Sequence, residues 1–397
     1  MFAIKSILFF SLFILCYSYV GYGVLVWTIL RFRKRAPLPQ ADAPEEFTPA
    51  VTLIVAAYNE ADFIEEKIWN TLSLDYPSDK LDIVFITDGS TDSTPHQVRK
   101  YGRVTLLHEP ERKGKTAALN RAMRTVTTPF VVFCDANTLL NPAAIRNIMQ
   151  HYRDERTGGV AGEKRVWQEG EDGAAATEGI YWKYESALKR LDDRLYSVVG
   201  AAGELFSIRT ELFEPVAGHV ILDDFIISLK INMRGYRIAY APDAYAMETP
   251  SASLADEYKR KVRISAGGFQ SIVMLKQLLN IFRQPLLSFQ YISHRVLRWT
   301  LCPLALPLIL GTNILLVAEN AGPFYLYLLY MQLFFYLLAV IGFGLALVRI
   351  RFKPCYVPFY FIFMNIALYH GFLRFVGSRQ SAVWEKAQRT INLSNPL

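Results

Sequence analysis

The sequence predicts an α/β fold: a mostly parallel sheet in a soluble domain, carried between membrane helices at both ends of the chain. Three observations predict it. Charge-free apolar runs cover Ile7 to Leu30, Trp299 to Ala318, Ala321 to Val348 and Pro354 to Leu373. Each is long enough for a hydrocarbon core that needs about 20 helical residues. From about Arg31 to Arg298 the composition is that of ordinary soluble protein. Within that middle, apolar β-forming runs alternate with stretches of helical spacing, as in βαβ units.

The elements follow in order. The first apolar run is too long for a signal peptide and lacks a small-residue cleavage pattern. Arg31, Arg33, Lys34 and Arg35 follow it, so the positive-inside rule puts the soluble domain in the cytoplasm, on a cell (inner or plasma) membrane. Pro37 to Pro49 is a proline-bearing linker. Val51 to Ala57 is a strand ending at Tyr58-Asn59-Glu60, and Ala61 to Leu72 a helix. Leu81 to Thr87 is a strand ending at Asp88-Gly89-Ser90, Thr91 to Lys100 a helix and Arg103 to His108 a strand. Lys113-Gly114-Lys115 then precedes a helix from Thr116 to Thr125.

Val131 to Cys134 is a further buried strand, and it ends in Asp135-Ala136-Asn137. Side chains alternate along an extended chain, so Asp135 and Asn137 point the same way. Together they offer oxygen ligands to a hard divalent cation carrying a phosphate; a simple turn is the competing reading. Three strands ending in polar triplets make more than a coincidence. A parallel sheet brings all three to one edge, where open α/β sheets bind ligands.

Composition excludes other classes. Lys and Arg number 43 against 36 Asp and Glu, an excess that juxtamembrane charges near anionic lipid account for. No nucleic-acid partner is expected. The cysteines Cys16, Cys134, Cys302 and Cys355 show neither metal spacing nor a disulfide framework.

The three triplets, taken in order, resemble those of the family 2 inverting glycosyltransferases, whose membrane-embedded branch includes cellulose, hyaluronan and poly-N-acetylglucosamine synthases. Lys113 to Asn120 is similar to the stretch between that family's second and third motifs. Tyr181-Trp182-Lys183-Tyr184-Glu185 and Gly203-Glu204-Leu205-Phe206 resemble its acceptor-side segments, and Leu222-Asp223-Asp224-Phe225 stands in the place of its Thr-Glu-Asp motif. The resemblance covers about Val51 to Gly268, with the tail around Trp384 and Arg389.

What it implies is a GT-A fold (Rossmann-like, mostly parallel) with a nucleotide-sugar at the sheet edge. Tyr58, Asn59, Glu60 and Asp88 are then expected on the nucleotide, and Asp135 and Asn137 on Mg²⁺ or Mn²⁺, an amide carrying no charge where the family often has Asp. Lys115 adds charge near the phosphates or is an exposed helix-start lysine. Glu204 falls on the acceptor side. Asp224 aligns with the general base and Asp223 with its neighbour; the alternative is that both simply begin a helix. Arg263 matches the Arg of the processive Gln-x-x-Arg-Trp motif, but Arg260-Lys261-Val262-Arg263-Ile264 lacks the Gln and the Trp, which puts processivity in question.

The remaining chain is expected as membrane apparatus. Ser271 to Gln290 reads as an amphipathic interfacial helix, with Arg298 and Trp299 at the membrane border. Four spans would leave Arg374, Arg379, Lys386 and Arg389 outside, against the charge rule. Pro354 and Pro358 therefore allow a re-entrant last segment. His370 and Arg374 are expected to face protein, water or a lipid phosphate.

The expected organisation is a transmembrane helix at 1–31, a linker at 32–50 and a GT-A domain at 51–268. Interfacial helices at 269–298, membrane segments at 299–376 and a polar tail at 377–397 complete it. Three functions stay open. The first is transfer from a nucleotide-sugar, a UDP-sugar foremost, to a glycan of a surface polysaccharide, with export proteins as partners. The others are transfer of one sugar to a lipid or lipid-linked acceptor, and nucleotide-sugar binding without turnover.

Overall fold

In the computed structural model, which describes residues 1–33, 47–166, 174–249, 253–348, 350 and 352–377, the chain divides into two compact units. One holds Met1–Arg31, residues 174–181 (the start of the helix Ala174–Leu195) and Tyr258–Ser378; the other holds Phe32–Trp167 and Trp182–Glu257. The segment around Trp384 and Arg389 lies outside the described residues, as do Arg379, Lys386 and the side chains of Tyr181 and Trp182.

The first unit opens with α1 (Phe2–Cys16), a π-helical turn at Tyr17–Gly21, and α2 (Tyr22–Phe32). The second is built on one sheet. Its elements are β1 (Val51–Ala57), α3 (Ile64–Leu72), β2 (Leu81–Asp88), α4 (Thr94–Arg99), β3 (Thr105–Glu109) and α5 (Lys115–Met123). They continue as β4 (Phe130–Asp135), β5 (Thr138–Leu140), α6 (Ala144–Gln150), β6 (Thr157–Val166), α7 (Ala174–Leu195), β7 (Leu205–Arg209), α8 (Asp223–Met233) and β8 (Arg237–Glu248).

Strand order is β3-β2-β1-β4-β7-β6-β8-β5. β1 is buried along its whole length, as an apolar run covered on both faces should be. It pairs in parallel with β2 and with β4, so Ala57 lies opposite Thr87 and Ala56 opposite Asp135. The ends that carry Tyr58, Asp88 and Asp135 therefore share one edge. β4 is reached by crossing back over β1, which makes the β1–β4 boundary the switch point where such sheets open a crevice. Past β4 the sheet changes character, because β7 runs antiparallel to both β4 and β6. That inserted strand lets Gly203 and Glu204, just before β7, arrive at the edge where β4 ends. The core behind the edge includes Leu53, Val55, Ile64, Ile68, Phe85 and Val132.

After β8 the chain continues as α9 (Leu254–Met274), a 3₁₀ turn (Lys276–Leu279), α10 (Pro285–Tyr291), a π turn (Ile292–Val296) and α11 (Leu297–Trp299). The single helix expected over Ser271 to Gln290 is thus three pieces. Pro285 accounts for the break before α10, since the residue before a proline is driven out of helical conformation, and Gln284 sits at φ −138° and ψ 75°. α12 (Leu301–Ala318), α13 (Pro323–Leu347) and α14 (Lys353–Val376) close the described chain.

Phe2–Phe32, Leu301–Ala318, Pro323–Leu347 and Lys353–Val376 are each long and apolar enough to cross a membrane. α14 runs unbroken through Pro358. Leu8 packs with Ala305, Ile309 and Leu316. The two π turns meet, with the Tyr17 hydroxyl 2.8 Å from Ser293 Oγ and Arg298 Nε donating to the Ser18 carbonyl at 3.1 Å. His370 is exposed, with its Nδ1 hydrogen-bonded to the Tyr258 hydroxyl.

Candidate active site

The sheet edge gathers carboxylates from distant parts of the sequence around one lysine. Lys115 is the first residue of α5, following Gly114 at φ +95°. Its ammonium pairs directly with Asp135 Oδ1 at the end of β4. A Cβ built on Gly203 would lie 3.1 Å from Lys115 Nζ and 3.4 Å from Asp224 Oδ2. Asp135, Lys115, Gly203 and Asp224 therefore converge.

The electrostatics follow from that crowding. Burial lifts the Asp224 carboxyl to about 7, and the Asp223 carboxylate beside it pushes the same way against the pull of Lys115. Burial also raises Asp135 above the usual carboxylate range; Lys115 opposes this, and Glu204 and Glu248 add to it. Burial disfavours the Lys115 ammonium, but Asp135, Asp223 and Asp224 outweigh it, so Lys115 stays charged. Asp223 and Asp224 open α8, where the positive end of the helix dipole favours acids. The Asp224 carboxylate also accepts the Phe225 N–H at 2.9 Å.

Asp88 divides its two oxygens. Oδ2 accepts the backbone N–H groups of Lys113 at 2.8 Å and Gly114 at 2.6 Å, which fastens the loop before α5. Oδ1 is buried without a hydrogen bond, 3.7 Å from Arg121 Nη1. Asn59, at φ 52°, serves the backbone too: its carboxamide oxygen accepts the Thr91 N–H at 2.8 Å. The Glu60 backbone N–H donates to Thr94 Oγ1 at 2.8 Å. Tyr58 joins Asp88, Gly114 and Lys115 in lining a cleft.

Glu204 is held by Lys164, whose side chain is 1% exposed, at 2.6 Å; Lys164 also pairs with Glu248. Burial works to raise the Glu204 carboxyl, yet Lys164 prevails and holds it below the usual range.

Two expectations change. β4 stops at Asp135, and Ala136-Asn137 turn into β5, so extended-chain alternation does not align Asp135 with Asn137. Arg263 lies on α9 in the other compact unit, so its phosphate role rests on the resemblance.

Arg112, Lys164 and Glu248 were missed by sequence reasoning. The Arg112 guanidinium lies 3.6 Å from the Tyr58 ring centroid and lines the same cleft. No spacing rule marks any of the three; a buried lysine within a strand, as Lys164 is, is recognisable only once burial is known.

Among the described residues no three His, Cys, Asp or Glu side chains form a ready-made metal set. Asp135 nevertheless fits Mg²⁺ or Mn²⁺, because such ions commonly take one or two carboxylates and complete their shell with substrate phosphates and water. Its side chain is 30% exposed at the sheet edge.

Residues 52–216 match the profile of glycosyl transferase family 2. The chain is 26% identical over 231 residues to the poly-β-1,6-N-acetyl-D-glucosamine synthase of Staphylococcus aureus (strain MSSA476), across 56% of this chain and 55% of that one. It is 24% identical over 250 residues to the Staphylococcus epidermidis enzyme of the same name, across 60% and 58%. The chain thus matches little more than half the length of these curated relatives. Among solved structures, the mannosyltransferase PcManGT from Pyrobaculum calidifontis, in complex with GDP-Man and Mn²⁺, superposes with a TM-score of 0.69 at 25% identity. That match covers 95% of this chain and 100% of the other.

Proposed function

We propose, for a chain whose residues 52–216 match the profile of glycosyl transferase family 2, a membrane-bound inverting transfer of a sugar from a nucleoside-diphosphate sugar to a glycan of a surface polysaccharide. The observation that carries it is the convergence of Asp224 and Asp135 on Lys115 beside Gly203. The acceptor hydroxyl oxygen forms its bond to the anomeric carbon while the bond from that carbon to the diphosphate breaks. Asp224 takes the hydroxyl proton, and a carboxyl lifted to about 7 suits a base working near neutrality. The diphosphate leaves with the bonding electrons, and Lys115 stands where that charge develops.

Asp135 would hold Mg²⁺ or Mn²⁺, which when bound supplies Lewis-acid stabilisation of the leaving diphosphate. Asp88 Oδ1 and Tyr58 are the proposed contacts to the nucleoside. Glu204, fixed by Lys164, is proposed on the acceptor side. A UDP-sugar donor, the bilayer as host and export proteins as partners belong to this reading, and the relatives named poly-β-1,6-N-acetyl-D-glucosamine synthase support the glycan acceptor.

A second reading is transfer of one sugar to a lipid or lipid-linked acceptor. The lack of Gln and Trp around Arg263 favours it. Nucleoside-diphosphate release by the full chain in lipid nanodiscs decides between them. UDP- and GDP-sugars are screened with Mg²⁺ or Mn²⁺, and products are sized: a ladder supports the polysaccharide, one added sugar the second reading. Asp224→Asn should lower kcat by about 10²–10⁴; turnover equal to the parent would remove Asp224 as base.

A further inference from the structure

The geometry points to Lys115 as a resident counter-cation of Asp135: its ammonium covers the carboxylate that a divalent metal needs, and the donor's diphosphate draws it away. This rests on the reading of Asp135 as the metal-holding residue. The contact is direct, Lys115 Nζ on Asp135 Oδ1, with the lysine side chain only 15% exposed. A divalent cation and an ammonium cannot share one small carboxylate without strong repulsion.

The surrounding groups show why a stand-in cation is needed. Asp223 and Asp224 also act on Lys115 electrostatically, so without it three carboxylates would face one another at the sheet edge. Of the other buried lysines nearby, Lys164 is engaged by Glu204 and Glu248, and Lys67 donates to Cys134 Sγ and the Thr138 carbonyl.

Lys115 is also built to move. Its backbone is secured, since Asp88 Oδ2 holds the N–H groups of Lys113 and Gly114, while its four-carbon stem can swing the ammonium about that fixed base. An arriving diphosphate offers the ammonium a more highly charged partner than one carboxylate. Metal binding is thereby tied to donor binding: the metal is held weakly alone and tightly together with the diphosphate.

The test is Mn²⁺ titration, followed by the electron paramagnetic resonance signal of free Mn²⁺, on the full chain in nanodiscs without nucleotide and then with UDP or GDP. Lys115→Met should bind one Mn²⁺ about tenfold more tightly than the parent without nucleotide, as expected for removal of a unit charge within about 4–6 Å. UDP or GDP should then tighten Mn²⁺ binding strongly in the parent and much less in the variant. Lys115→Arg keeps the charge and should stay as weak as the parent, which separates charge removal from loosening of the fold. Equal or weaker Mn²⁺ binding by Lys115→Met, with Asp135→Asn abolishing binding, would overturn the counter-cation role while leaving Asp135 as the metal residue. Unchanged Mn²⁺ binding in Asp135→Asn would instead overturn the metal reading, and the inference with it.

Discussion

Asp224 carries the sharpest consequences at the scale of single residues. A general base works ionised, so kcat/KM should rise with pH through about 7, where burial and Asp223 place this carboxyl. Below that the rate should fall about tenfold per pH unit, and a pH–rate profile lacking that limb would argue for another base. Stability moves the opposite way. A carboxyl whose folded pKa exceeds its unfolded value contributes stability that is complete below about 4 and is lost as pH rises through 7. Asp224→Asn should therefore be more stable than the parent at pH 8, with little difference at pH 4, as read by thermal melts. Asp88, Asp135, Asp223 and Asp224 were legible as candidates because each stands where an apolar run gives way to acid. Their division of labour was not, since nothing in Asp88-Gly89-Ser90 tells which oxygen fastens the Lys113–Gly114 backbone.

Among the elements, the loop into α5 sets the site, and Gly89 shows how tightly it is packed. Gly89 stands at φ +68°, and a Cβ there would meet Arg112 Cβ at 2.5 Å and its Cα at 2.8 Å. Gly89→Ala combines a left-handed backbone with a clash against main chain, costing about 1–2 kcal/mol in conformation alone. It should also displace Arg112 from Tyr58 and weaken nucleotide binding, which calorimetry with UDP and GDP would read. The strands of this half were readable because buried parallel strands are near-continuous apolar runs. The break at Pro285 was lost in an amphipathic reading of Ser271 to Gln290 that weighed polarity above the proline. The antiparallel β7 was equally hidden, because Leu205 to Arg209 encodes a strand without its direction.

At the scale of the molecule, the four helices among the described residues that are suited to crossing a membrane and the basic cluster after the first of them lead to a topological expectation. The chain between Phe32 and Leu301 should face the cytoplasm. Lys80 is exposed in the sheet-bearing unit, so Lys80→Cys should react with an impermeant maleimide in inverted vesicles and be protected in sealed right-side-out ones. Labelling in the reverse pattern would invert the orientation.

The sequence by itself determined the class of this protein: apolar helices long enough to cross a membrane on either side of an α/β domain, and acids at the ends of its strands. These are local properties, set by run length, periodicity and the residue that closes each run. Only the tertiary structure decided that Lys115 faces Asp135 and Asp224 across Gly203, that Asp88 gives one oxygen to a loop, and that Lys164 holds Glu204. Each of these joins residues some 20 to 110 positions apart in sequence, and the closeness that sets their charges comes from strand order and packing, which no short stretch of sequence contains.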